Sequence, residues 1–296
     1  MNKGLIKKDT NIAILEQYSS KVVAPAKLIS LVKAVTYYNN FYNTRIAFDN
    51  SDKTRAVWFE FEMLESYFER VTSFCSEQNI EITRFVFLLG AEDNGKRTVF
   101  LAPATYDERL DLHRAFSFDN GEITYLHRFA GENYSTETKL DRLQSPDQSL
   151  VLSSSGHISS ARAIQLYNNY YDFVTGPFSE TVEFDTRFVW YEKGEYEKYL
   201  TYLKTQSKEY DQELTGVNVI FASIDNSPLE GEYSNHLTLF FAPTIENNTT
   251  LLNLKSNERL DLTKETWKFI NSKNDFSQTS SMFNYGNSGP PPVQWD

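Results

Sequence analysis

Five blocks of sequence occur twice in the same order, and that duplication limits the fold more than anything else in the chain. Ile29-Ser30 and Tyr38-Asn39-Asn40-Phe41-Tyr42 return as Ile158-Ser159 and Tyr167-Asn168-Asn169-Tyr170-Tyr171, a shift of 129 (158 − 29). Thr54-Arg55-Ala56-Val57-Trp58-Phe59-Glu60 returns as Thr186-Arg187-Phe188-Val189-Trp190-Tyr191-Glu192 at 132 (186 − 54). Phe100-Leu101-Ala102-Pro103 returns as Phe240-Phe241-Ala242-Pro243, and Glu108-Arg109-Leu110-Asp111-Leu112 as Glu258-Arg259-Leu260-Asp261-Leu262. Matched blocks separated by unmatched insertions are the mark of two copies of one supersecondary unit.

Each copy reads as helix, strand, helix and hairpin. Ser30 and Ser159 stand where a side-chain oxygen caps a helix, ahead of apolar residues at helical spacing. Val57-Trp58-Phe59 and Val189-Trp190-Tyr191 read as short strands, whose tryptophans are expected in equivalent, largely buried positions. A second amphipathic helix follows, with Phe61, Leu64, Phe68 and Val71 on its apolar stripe in copy one and Tyr196, Leu200 and Leu203 in copy two. Residues 82–89 and 98–102 flank Asn94-Gly95, a hairpin signal, and Leu214 to Ile224 pairs with His236 to Ala242 across a longer loop. Pro103 and Pro243 are expected to stop the ladder, and Leu110 and Leu112 to lie on a further edge strand with Arg109 and Asp111 paired on its other face.

The expected fold class is therefore α+β: two tandem copies related by a pseudo-two-fold, with helices packed on a mostly antiparallel sheet. The expected organisation is an N-terminal extension over 1–28, repeat units over 29–130 and 158–273, a linker over 131–157, and a Pro-rich tail over 274–296. The tail's Phe283, Tyr285 and Trp295 are expected to dock, because large rings are costly to leave in water.

Composition narrows the function. A net charge of −11 with no basic stripe argues against nucleic-acid binding. Lys3, Lys7 and Lys8 precede no apolar run, so neither a signal peptide nor a membrane span is expected and the chain is placed in the cytoplasm. Cys75, the one cysteine, reads as a small buried hydrophobe. His113, His127, His157 and His236 show neither matched positions nor metal-site spacing, so no metal and no cofactor is expected.

A charged residue with Trp-Phe entering a helix, a hairpin of β-formers, and a terminal Asn284-Tyr285-Gly286 with Gly289-Pro290-Pro291 resemble a set of small, uncharacterised proteins from Bacteroidetes-type bacteria. The resemblance covers both repeats and the tail once and implies no activity. Ser288-Gly289 stands where that family has a cysteine.

The functional lead in the residues themselves is the aromatic and amide-rich segment present in both copies. Tyr38 and Tyr42, like Tyr167 and Tyr171, are one helical turn apart. With Asn39, Asn168 and Trp295 they form the expected binding surface between the halves, for a protein or peptide partner or a glycan. The alternative is a hydrolase-like enzyme with Glu60 or Glu192 as acid or base at the junction of the repeats.

Overall fold

Two of the strands take their inner partners from the other half of the chain. The computed structural model describes residues 27–29, 31–47, 52, 54–127, 149–170, 186–209, 213–224, 235–245, 249–250 and 287–289. In the first half α1 (Leu31–Phe41) runs into one π-helical turn (Tyr42–Ile46), then come β1 (Ala56–Glu60), α2 (Phe61–Glu77), β2 (Arg84–Ala91), β3 (Arg97–Asp107), β4 (Leu112–Asp119) and β5 (Glu122–Tyr125). There follow β6 (Val151–Ser153), β7 (Gly156–Ile158), α3 (Ser160–Tyr170), β8 (Phe188–Glu192), α4 (Lys193–Glu209), β9 (Leu214–Ser223), β10 (Leu237–Ile245), β11 (Thr249–Thr250) and β12 (Asn287–Gly289). One sheet has the order β1-β9-β10-β11; the other has β12-β8-β2-β3-β4-β5, with β6 on β3 and β7 on β6. Every strand pairing among the described residues is antiparallel, so the fold is α+β with a mostly antiparallel sheet content.

Thus β1 pairs with β9, Val57 facing Val219 and Phe59 facing Val217, while β8 pairs with β2, Val189 facing Phe87 and Tyr191 facing Phe85. The spans 29–130 and 158–273 expected as separate units each lend a strand to the other's hairpin.

Side-chain alternation then sorts the core into layers. Val86, Leu88, Phe100 and Ala102 face α3, and Ile220, Ala222, Phe240 and Ala242 face α1. Their neighbours Phe85, Phe87, Leu89, Val219, Phe221 and Phe241 meet in a central core, where they are joined by the stripes of α2 and α4. The rings of Phe87 and Phe241, one from each sheet, lie 4.6 Å apart. Strand segments covered on both faces must be apolar at successive positions, which explains the runs Phe85–Leu89 in β2 and Val219–Ala222 in β9. Cys75 is in the same core, and burial pushes its thiol up to about 11.

The expected elements are present with local differences. Ser159 caps α3, accepting from Arg162 N–H at 3.2 Å; Ser30 lies outside the described residues, as do 258–262. Gly95 closes the β2–β3 turn at φ 81°. Pro103 does not stop β3, nor Pro243 β10. Beyond β2, β3 is paired by β6 at Phe100–Leu101 and by β4 from Ala104, and Pro103 falls in the interval, where no ladder needs its N–H. Residues 108–111 form a turn and the strand begins only at Leu112, so Arg109 pairs with Asp107 at 3.8 Å rather than with Asp111.

The end of the expected linker is structured, because Leu150, Val151 and Leu152 are apolar and buried. Tyr67 donates to Leu150 O at 2.8 Å, and Arg70 donates to Ser149 O and to His157 Nδ1, the latter at 3.0 Å. Trp58 and Trp190 are half-buried rather than deeply buried. Trp58 Nε1 donates to Thr244 at 3.0 Å while its indole covers Gly216, and Trp190 lies 3.5 Å beneath the Arg84 guanidinium.

A Cβ at Gly216 would stand 2.4 Å from Trp58 Nε1 and 2.5 Å from Phe59 O, whereas one at Gly194, near the start of α4, would meet nothing within 4 Å. Gly216→Ala should therefore destabilise the protein by about 1–3 kcal/mol, and Gly194→Ala should stabilise it by about 0.5–1 kcal/mol. Denaturant unfolding of both variants checks the pair.

His157 supplies a pH test. Arg is a donor only, so Nδ1 must accept, which requires the ring unprotonated there. Burial, then the Arg70 charge, lowers the imidazole pKa below its ordinary value; burial lowers that of His113 as well. The unfolded chain then takes up the proton first, so stability is full above about pH 6.5 and is lost as pH falls from there toward the folded values. The thermal midpoint should drop between about pH 7 and pH 5, and His157→Gln should flatten that slope in a pH series of melts.

Candidate functional site

The repeated polar residues hold the layers together. Arg55 is buried, donates to Tyr38 O at 2.9 Å and lies with its guanidinium 3.4 Å from the Tyr38 ring centre. Arg187 is buried too, donates to Tyr167 O at 2.7 Å and stacks 3.9 Å from the Tyr167 ring. Burial lowers the Arg55 pKa to about 10, against the favourable field of Tyr38 and Tyr42, so it stays charged at neutral pH. Of the paired asparagines, the second ties its helix to a hairpin. Asn40 donates to Ile224 O and Asn169 donates to Asp93 at 2.9 Å, beside Arg162 and Gln165.

The expected aromatic surface therefore takes a different form. Tyr38 and Tyr167 are 0% and 2% exposed, held as core rings beneath arginines. Tyr42 is half-buried near Arg55, Asn39 is half-buried, and Asn168 is exposed. Tyr171 and Trp295 lie outside the described residues. The five described positions, Tyr38, Asn39, Tyr42, Tyr167 and Asn168, do not gather into one surface, since α1 and α3 cover the outer faces of different sheets. Glu60 is exposed and makes no side-chain cap on α2. Glu192 faces Arg84 at 3.4 Å.

A concave site does lie where the halves meet, on the outward side of α2 and α4. A cavity of about 310 Å³ is lined by Glu65, Phe68, Glu69, Glu197, Leu200, Thr201, Lys204, Thr205 and Lys208. Phe68 and Leu200 are its buried floor, continuous with the central core. Glu65 and Glu197 stand at the same offset of 132 (197 − 65) as the repeated strands, and so do Phe68 and Leu200. Lys204 donates to both Glu65 oxygens, at 2.7 and 3.0 Å, and that hydrogen bond holds its ammonium pKa above the ordinary value. Glu69 and Glu197 flank the pair on the exposed rim.

Sequence reasoning missed these residues. The available signal was the recurrence of Glu one turn before an apolar stripe residue in both helices, since i and i+3 share a face. Among the described residues no three His, Cys, Asp or Glu side chains are grouped to hold a metal ion, and no helix is long and apolar enough to cross a membrane. Comparison with protein-family models, with curated proteins and with solved structures gave no match.

The clamp on each helix is testable. Arg187→Met keeps the stem but loses a charged hydrogen bond and the ring contact, at a cost of about 2–4 kcal/mol. Arg55→Met should cost a similar amount. Denaturant midpoints of both variants, with Asn168→Ala near wild type as the exposed control, check this.

Proposed function

We propose that the protein is a non-catalytic binding protein whose contact site is the α2–α4 cleft, with the two copies related by a pseudo-two-fold that passes through it. Matching registers of β1 on β9 and β8 on β2 support the symmetry. The observation that carries the reading is the cleft itself, because it draws Glu65 with Glu197 and Phe68 with Leu200 from corresponding positions of both copies. Its volume is at the small end of ligand sites, enough for one side chain or a small molecule. On the rim Lys204 is already held by Glu65, which leaves Glu69 and Glu197 against Lys208, and this acidic excess above an apolar floor suits an organic cation on an apolar stem, as on a basic residue of a peptide partner. Such a site needs no general acid or base.

Titration of lysine-containing and glutamate-containing dipeptides, followed by calorimetry, tests the reading. The lysine peptide should bind, the glutamate peptide should not, and Glu69→Gln with Glu197→Gln should weaken the first by about tenfold, the value of roughly 1.4 kcal/mol. Equal binding of both peptides, or indifference to the double substitution, would remove the proposal.

A further inference from the structure

The outer edge of β8 is occupied by the chain's own C-terminal segment, and β1 presents a matching edge. β12 pairs antiparallel with β8, placing Asn287 opposite Trp190, Ser288 opposite Val189 and Gly289 opposite Phe188. β1 and β8 share the Val-Trp-aromatic-Glu sequence and the same alternation of burial along the strand. Each pairs with its inner neighbour in the equivalent register. Among the described residues β1 ends its sheet, paired on one side only.

Backbone geometry shows which groups that edge offers. Leu89 N–H donates to Arg187 O, so alternation turns the peptide groups of Val189 and Tyr191 toward β2 and those of Phe188 and Trp190 outward, where Gly289 and Asn287 meet them. In the same way Phe221 N–H donates to Arg55 O, so Val57 and Phe59 face β9 and Ala56 and Trp58 turn their peptide groups outward.

We propose that the outer edge of β1 is a docking edge for an extended partner peptide with the chemistry of Asn287–Gly289, small polar residues leading into prolines, seated antiparallel with its Asn opposite Trp58 and its Gly opposite Ala56. Strand addition of this kind draws its affinity from main-chain hydrogen bonds. Small residues clear the neighbouring indole, and the following prolines end the ladder because they donate nothing. This edge is separate from the α2–α4 cleft and stands whether or not the cleft binds a ligand.

The probe is a labelled peptide with the sequence of residues 283–294, added to the full-length chain, whose β8 edge already holds its own segment. One peptide should bind per chain, and Ala56→Pro should weaken it at least tenfold; that proline removes an outward N–H and leaves the β9 ladder intact. N-methylation of the peptide's Asn and Gly should have the same effect. Amide exchange on the unsubstituted protein should show the peptide protecting Ala56 and Trp58. Absence of binding, an Ala56→Pro variant that binds as well as wild type, or protection falling on Phe188 and Trp190 would overturn the proposal.

Discussion

Everything in the core depends on the exchange of strands between the two halves of the chain. A strand that runs into a helix and then into another strand ordinarily comes back in the same direction. β1 and β2, joined through α2, are therefore poorly placed to pair antiparallel with each other. The antiparallel partner comes from the other half of the chain, β9 for β1 and β2 for β8. The central core is consequently common property: Phe87 and Phe241 touch across it, and the apolar stripes of α2 and α4 are buried in it together.

Burying so many rings between layers leaves the helices to be held by groups that can be satisfied in the interior. Arg55 and Arg187 do this from the first residue before each exchanged strand. A guanidinium is weakly hydrated and planar, so it stacks on a tyrosine while bonding that residue's carbonyl. Asn40 and Asn169 fix the opposite side of each helix to a hairpin. A helix of one half is thus anchored on the hairpin of the other, which repeats in side chains what the exchange does in backbone. Much of the repeated polarity has an architectural cause.

The proposed contact site is likewise a product of the junction. The α2–α4 cleft forms where the two helices meet, and its charges lie on the rim, where solvent screens them. The β8 edge shows the other resource of this fold, a strand whose outward peptide groups are met by an added segment.

The sequence by itself determined the recurrence of five blocks and the type and order of the described helices, strands and hairpins, because periodicity and turn chemistry are local. It was legible that Tyr38 and Tyr167 do the same thing, but not that this thing is to sit beneath an arginine, since a helix-borne tyrosine reads alike whether its neighbour is solvent or a strand seventeen residues on. Val151 and Leu152 were hidden in a polar stretch because three residues carry too little pattern. Only the tertiary structure decided which half of the chain supplies each partner. β1 matches β2 and β9 equally well in hydrophobic pattern, so side-chain alternation sets its register but not its neighbour; the choice is made by the direction of the chain and by the core that both halves must share.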